Sequence, residues 1–211
     1  KVQTTGADAD ALYLRNQTGG AIEATVQGDV LAEQGAGVRM ITNGETSLTI
    51  AAGGALRSAA DGYALIVEDY VAEELPEDGP GLPGPIGGGI GLAAAAQAIP
   101  TERPATNIII ADGGALYGRV RLDDRSSHFD NGGTFFANGI SYFGGGNDVL
   151  TNSGTIAVEG DVFFDGLEQI NNQGLIAFSA GNGDDVLDLS NLSFHGDDGS
   201  TIAFDLSAET S

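Results

Sequence analysis

Cysteine is absent from this 211-residue chain. That excludes a disulfide framework, a thiolate metal site and a cysteine nucleophile. Basic residues are scarce: eight lysines and arginines face thirty acids, for a formal net charge of −22 at pH 7, and Lys1 is the only lysine. A chain of that sign repels phosphate backbones and anionic lipid headgroups, so no nucleic-acid partner is expected. Long hydrophobic runs are missing as well. The longest, residues 86–99, has fourteen residues of Gly, Ala, Ile, Leu and Gln, against the roughly 20 that span a bilayer, so no membrane-spanning segment is expected. No stretch resembles a signal peptide, no Gly-x-Ser-x-Gly nucleophile motif occurs, and glycine shows no collagen-like period.

Glycine is what the chain has in excess: 34 of 211 residues, about 16% against a usual share of about 7%. Scattered among Val, Ile, Leu, Phe and Thr, so many glycines imply many tight turns between short strands. Strand-like runs recur at "AIEATV" (21–26), "SLTIA" (47–51), "YALIV" (63–67), "NIIIA" (107–111), "GRVRL" (118–122), "TIAV" (155–158), "LIAF" (175–178) and "TIAFDL" (201–206). The turns repeat too. "TNSGTIAV" and "INNQGLIAF" place Ile156 and Ile176 twenty residues apart, and "DDGSTIAFDL" places Ile202 twenty-six further on. "IAAGGAL" (50–56) returns as "IADGGAL" (110–116), and four [Gly/Asn/Asp]-Asp-Val-[Leu/Phe] units begin at 28, 147, 160 and 184. A sandwich would not rewrite one turn-plus-strand unit every twenty-odd residues, whereas a solenoid does so at every coil. The expected fold is an all-β, right-handed parallel β-helix of seven to nine coils, and 1–211 reads as one solenoid segment of a longer protein.

Residues 74–106 interrupt the pattern. They hold all six prolines, and Gly79 to Thr101 carries no charge. They are expected to form an insertion at a coil corner, with a short alanine-rich helix over 91–98 stopped by Pro100. An apolar stretch in so acidic a chain needs cover, and Ile86, Ile90 and Leu92 are the expected anchors of a contact with the solenoid flank or with a second copy.

The Asn-x-Gly-x-Ile units (Asn152, Gly154, Ile156; Asn172, Gly174, Ile176), preceded by "GGGNDVL" and "GNGDDVL", resemble the passenger regions of bacterial autotransporters, as does the closing "GSTIAFDLS". The resemblance covers most of 20–70 and 107–211. It implies a right-handed β-helix, type V export and a place outside the cell on a bacterial surface, with a structural or adhesive role. The partner is then a host or neighbouring-cell surface protein or glycan, or another copy of the chain.

Three groups of residues carry candidate chemistry. "GGGNDVL" and "GNGDDVL" share Gly-x-Gly-x-Asp-x-Leu, the core of calcium-binding nonapeptide repeats, which makes Asp148, Asp184 and Asp185 the candidate Ca²⁺ ligands. Asp148 and Asp185 stand 37 residues apart, however, where such sites recur every nine. A corner whose free amides are capped by Asp accounts for the motif more simply. His128, with Asp123, Asp124 and Asp130 nearby, superficially offers an acid/base cluster, and acidic pairs in a surface groove would suit a carbohydrate-active β-helix enzyme. Alternation in a strand sends adjacent acids to opposite faces, and solvation explains them at less cost. Aromatics cluster at Phe129, Phe135, Phe136, Tyr142, Phe143, Phe163 and Phe164. Inward they are core; outward they form a sugar- or protein-binding platform. The expected function is structural and adhesive display. The alternatives are a lyase or glycosidase-like enzyme and a calcium-stiffened surface-layer segment.

Overall fold

The computed structural model describes residues 1–6, 9–59, 62–71, 104–178 and 184–204. Among them there is no helix, and every strand pairing is parallel. The chain winds as a β-solenoid of about seven turns, three strand positions to a turn. The first coil is β1 (Val2–Thr4), β2 (Leu12–Arg15) and β3 (Ile22–Val26). The second is β4 (Asp29–Ala32), β5 (Val38–Ile41) and β6 (Thr46–Ile50). The third is β7 (Ala55–Arg57), β8 (Tyr63–Glu68) and β9 (Thr106–Ile110), and the fourth is β10 (Ala115–Tyr117), β11 (Arg119–Arg121) and β12 (Ser127–Asn131). In the fifth and sixth coils one long strand runs through the first two positions: β13 (Thr134–Tyr142) before β14 (Val149–Asn152), and β15 (Thr155–Asp165) before β16 (Gln169–Asn172). The seventh is β17 (Leu175–Phe178), β18 (Val186–Asp188) and β19 (Ser193–Gly196), and β20 (Thr201–Ala203) opens an eighth. The long strands join the first and second positions into a 13-stranded sheet; the third position forms a separate 7-stranded one.

Along the first position Val2 pairs with Val30, Asp29 with Ala55, Ala55 with Ala115, Ala115 with Thr134, Thr134 with Thr155, Thr155 with Leu175 and Leu175 with Thr201. The steps are therefore 28, 26, 60, 19, 21, 20 and 26 residues. The 60-residue echo of "IAAGGAL" in "IADGGAL" is one such step: Ile50 pairs with Ile110 and Leu56 with Leu116.

Parallel pairing in register puts like on like. One interior row is Val30, Leu56, Leu116, Phe135, Ile156 and Ile176. A second is Leu48, Ile108, Phe129, Leu150 and Ile170. All of these are buried. Alternation is what sends them inward: β12 reads buried, exposed, buried, exposed, buried. Phe129 tilts against Phe135 with centroids 5.2 Å apart, and Phe143 meets Phe164 edge-on at 5.9 Å, favourable geometries for buried rings.

The corner that follows the third position explains the Asn-x-Gly units. Asn131, Asn152 and Asn172 are buried and stack: Nδ2 of Asn131 donates to Oδ1 of Asn152 at 2.7 Å, and Nδ2 of Asn152 to Oδ1 of Asn172 at 2.7 Å. Two residues on, Gly133, Gly154 and Gly174 stack so closely that a Cβ on Gly154 would overlap the carbonyl oxygen of Gly133. The asparagine amides link coil to coil, with Asn131 Oδ1 at the head of the row left without a partner among the described residues, and Gly lets the next coil approach.

The corner after the second position is equally informative. It takes four residues between β5 and β6 and five between β11 and β12, but 37 separate β8 from β9. Most of the expected 74–106 insertion, with its helix at 91–98 and with Ile86, Ile90 and Leu92, lies outside the described residues. The strands on either side of it stay in register: Oγ1 of Thr46 and Oγ1 of Thr106 lie 2.8 Å apart. From the fourth coil the fully buried Arg125 donates through Nη1 to the carbonyl of Gly44 in the second, spanning the third coil's corner. Asp123 balances its charge, with Nη2 2.5 Å from Oδ2.

The asparagine row yields a test. Asn152→Ala removes three side-chain hydrogen bonds, those with Asn131, Asn172 and the Leu175 carbonyl, and leaves the buried Asn172 Oδ1 without its donor. The expected loss is about 2–3 kcal/mol, read as a fall of roughly 5–10 °C in Tm. Asn152→Asp at pH 7, which adds a buried charge, is expected to cost more. A Tm within a degree of the parent for Asn152→Ala removes the row from the account of stability.

Candidate binding groove

Residues of the second position and its following corner line a groove of about 320 Å³ across coils five to seven. Two glycines aim its walls. Gly139 and Gly160, both at positive φ, sit where β13 and β15 turn from the first position into the second, and the register shifts there. Alternation then resumes. Ser141, Val162 and Phe164 go inward, while Ile140, Tyr142 and Phe163 stay 37–39% exposed. Ile140 pairs with Phe163 and Tyr142 with Asp165, and in the next coil Phe163 pairs with Asp188. Corner residues complete the lining: Leu167 and Glu168 from one coil, Ser190, Asn191 and Leu192 from the next.

Charge is graded along this face. The coils nearer the N-terminus carry the arginines: Arg39 binds Asp10 at 2.6 Å and Glu68 at 3.0 Å, Arg121 pairs with Glu68, and Arg119 lies 4.8 Å from the Tyr63 ring centre. On the adjoining first-position face Arg57 covers Tyr117 at 3.5 Å, and Tyr117 stacks on Phe136 at 4.1 Å. Arg121 then pairs with Tyr142 in the ladder, and Tyr142 with Asp165. The order is arginine, aromatic, carboxylate. The groove lies at the acidic end: Asp165, Glu168 and Asp188 line it and, among the described residues, no basic side chain does. Asp188 accepts the Ser190 amide at 2.8 Å, and the Ser190 bonds hold its carboxyl below the usual range.

The two Gly-x-Gly-x-Asp-x-Leu cores are not brought together. Asp148 stands just before β14, at the corner after the second position, whereas Asp185 stands just before β18, at the corner after the first. Asp184 is exposed, and Asp185 accepts the Gly160 amide at 2.7 Å. Among the described residues no group of three or more His, Asp or Glu is arranged to hold a metal ion. The [Gly/Asn/Asp]-Asp-Val-[Leu/Phe] units start strands in all three positions (β4, β14, the second half of β15, and β18), so they mark exits from corners rather than a place in the coil. His128 and Asp130 point outward while Asp123 is drawn inward to Arg125, so this cluster does not converge on one point. The aromatics divide: Phe129, Phe135, Phe143 and Phe164 are core, Tyr142 and Phe163 face the groove. Sequence reading missed Asp165, Glu168 and Asp188 as groove residues. The available signal was Ile140-x-Tyr142 echoed as Phe163-x-Asp165.

Asp148 itself is unusual. It is fully buried, its Oδ1 accepts both the amide and the hydroxyl of Ser127 at 2.6 Å, and its Oδ2 has no hydrogen-bond partner among the described residues. Burial pushes its pKa from 3.8 to about 6; the Ser127 bonds oppose the shift, and the carboxylates of Glu168 and Asp123 add to it. No family model, no curated protein and no solved structure matches the chain.

Because its folded-state pKa lies above the unfolded value, Asp148 holds its proton more tightly in the folded chain. That contribution to stability is complete below about pH 4 and is lost as pH rises through 6. Asp148→Asn keeps an acceptor for Ser127 and carries no charge. The Tm of the variant relative to the parent is therefore expected to rise between pH 4 and 7, by the equivalent of up to about 3 kcal/mol. A Tm difference that stays constant over that range contradicts the assignment.

Proposed function

We propose that the chain is an extracellular display segment of the autotransporter-passenger kind, and that its aromatic–acidic groove is an adhesive contact. The observation that carries this reading is the exposure of Ile140, Tyr142 and Phe163 on successive coils of an otherwise regular solenoid. The coil has interior use for large apolar side chains, and it buries Phe129, Phe135 and Phe143 completely. Leaving three neighbouring ones outside, in a concave site with polar groups at its rim, fits binding better than folding. Absence of cysteine suits a chain that is exported, and the −22 charge suits a soluble surface. The partner class is a surface protein or glycan of another cell, or a second copy.

One observation favours a second reading, a carbohydrate-active enzyme: Asp165, Glu168 and Asp188 line the same groove. Paired carboxylates are the equipment of glycoside hydrolysis, which also needs one of them held protonated as the acid. Asp188, with its lowered pKa, does not supply that proton.

Beads coated with the protein are expected to bind bacterial or host-cell layers, with capture reduced at least about tenfold by Tyr142→Ala or Phe163→Ala. Tyr13→Ala, at an exposed position in the first coil, is expected to leave capture unchanged. Equal capture by all three variants refutes the groove as the adhesive contact. Release of reducing ends or unsaturated sugars from polysaccharides, abolished by Asp188→Asn, transfers the assignment to the enzyme reading.

A further inference from the structure

We propose that the groove over coils five to seven takes a neutral, hydroxyl-rich glycan chain; the inference rests on the binding role just assigned to this face and names its ligand class. Four features converge on that chemistry. The volume, about 320 Å³, is at the small end of ligand sites and suits one or two sugar rings. Tyr142 and Phe163 come from adjacent coils and stand diagonally, since Phe163 pairs with Ile140 and Tyr142 with Asp165, and both exposed aromatic side chains line the groove. An aromatic ring is an apolar surface against which the C–H side of a sugar packs. Around these rings stand hydrogen-bonding groups: Asp165, Glu168, Asp188, Ser190 and Asn191.

Two of the carboxylates are held in place by the backbone. Glu168 Oε2 accepts the Asp148 amide at 2.6 Å, and Asp188 Oδ1 accepts the Ser190 amide at 2.8 Å. Each keeps lone pairs for a further donor. An oriented acceptor at the edge of an aromatic face matches ring hydroxyls, whose directions are fixed by the sugar. Electrostatics narrows the class. With three acids and no base in the lining, phosphates, sulfates, uronic acids and sialic acids are repelled. A basic peptide is the competing ligand, and it differs from a neutral glycan in its response to salt. Coulombic attachment at an open site weakens steeply as ionic strength rises, while stacking and neutral hydrogen bonds do not.

The test is titration calorimetry of the whole chain with neutral gluco-, manno- and galacto-oligosaccharides of four to six units, alongside oligogalacturonate and an oligo-arginine peptide. The expected result is a Kd between about 0.01 and 1 mM for at least one neutral probe, unchanged within twofold between 0.05 and 0.5 M NaCl. Tyr142→Ala and Phe163→Ala should each weaken it about tenfold or more. Tyr142→Phe, which keeps the ring, should stay within about threefold. Matching circular dichroism and Tm between variants and parent separates loss of contact from loss of fold. The inference is overturned if no neutral probe binds, if oligogalacturonate binds more tightly, if binding is confined to the oligo-arginine peptide and collapses in salt, or if the two alanine variants bind like the parent. Cell capture that needs the groove without any saccharide binding leaves the adhesive reading standing and removes this one. Saccharide binding without groove-dependent capture does the reverse.

Discussion

Parallel, in-register stacking governs this molecule. Each coil lays its residues over the same positions of the coil before, so every side chain meets its counterpart rather than a partner chosen by a turn elsewhere. A position is then good or bad as a row. The apolar row Leu56, Leu116, Phe135, Ile156, Ile176 gains burial and dispersion at every step. A row of polar side chains is tolerable inside only when neighbours satisfy one another. Asparagine does so by carrying a donor and an acceptor on one amide, as Asn131, Asn152 and Asn172 show. Ionised aspartate has no donor to pass along, and at Asp148 it is burial above all that raises the pKa to about 6.

The same constraint decides how much could be read before the structure. Ile156, Ile176 and Ile202 announce themselves because three like residues in one row are also like residues at a nearly fixed spacing. Strands such as "NIIIA" and "SLTIA" are visible because β-branched runs between turn residues have few other uses. The third asparagine unit, Asn131-Gly132-Gly133-Thr134-Phe135, is harder to see, since phenylalanine fills the isoleucine place. The loose spacing also has a physical origin. Corners differ in length from coil to coil, so that an ordinary step takes from 19 to 28 residues, while the strands between them hold register.

The groove was only half legible for the opposite reason. Its members come from three coils and lie far apart in sequence, joined by ladder pairing alone: Ile140 with Phe163, Phe163 with Asp188, Tyr142 with Asp165. Aromatic clustering pointed to Tyr142 and Phe163, but whether a ring faces in or out depends on where the strand resumes alternation after Gly139 and Gly160. Glycine frequency announces turns without saying which face follows them. The acidic members carried no separate signal in a chain with thirty acids.

The bridge from Arg125 to Gly44, with Thr46 against Thr106, makes the corner between β8 and β9 a port. The second coil is fastened directly to the third through Thr46 and Thr106 and to the fourth through Arg125, so the register of the strands beside this corner has contacts of its own. For a flexible connection, doubling its length costs only about 0.6 kcal/mol. Such a site is a natural place for grafting. Added length between Glu68 and Thr106 would then fall on a connection rather than on the paired strands, whose register is fixed by their own ladder.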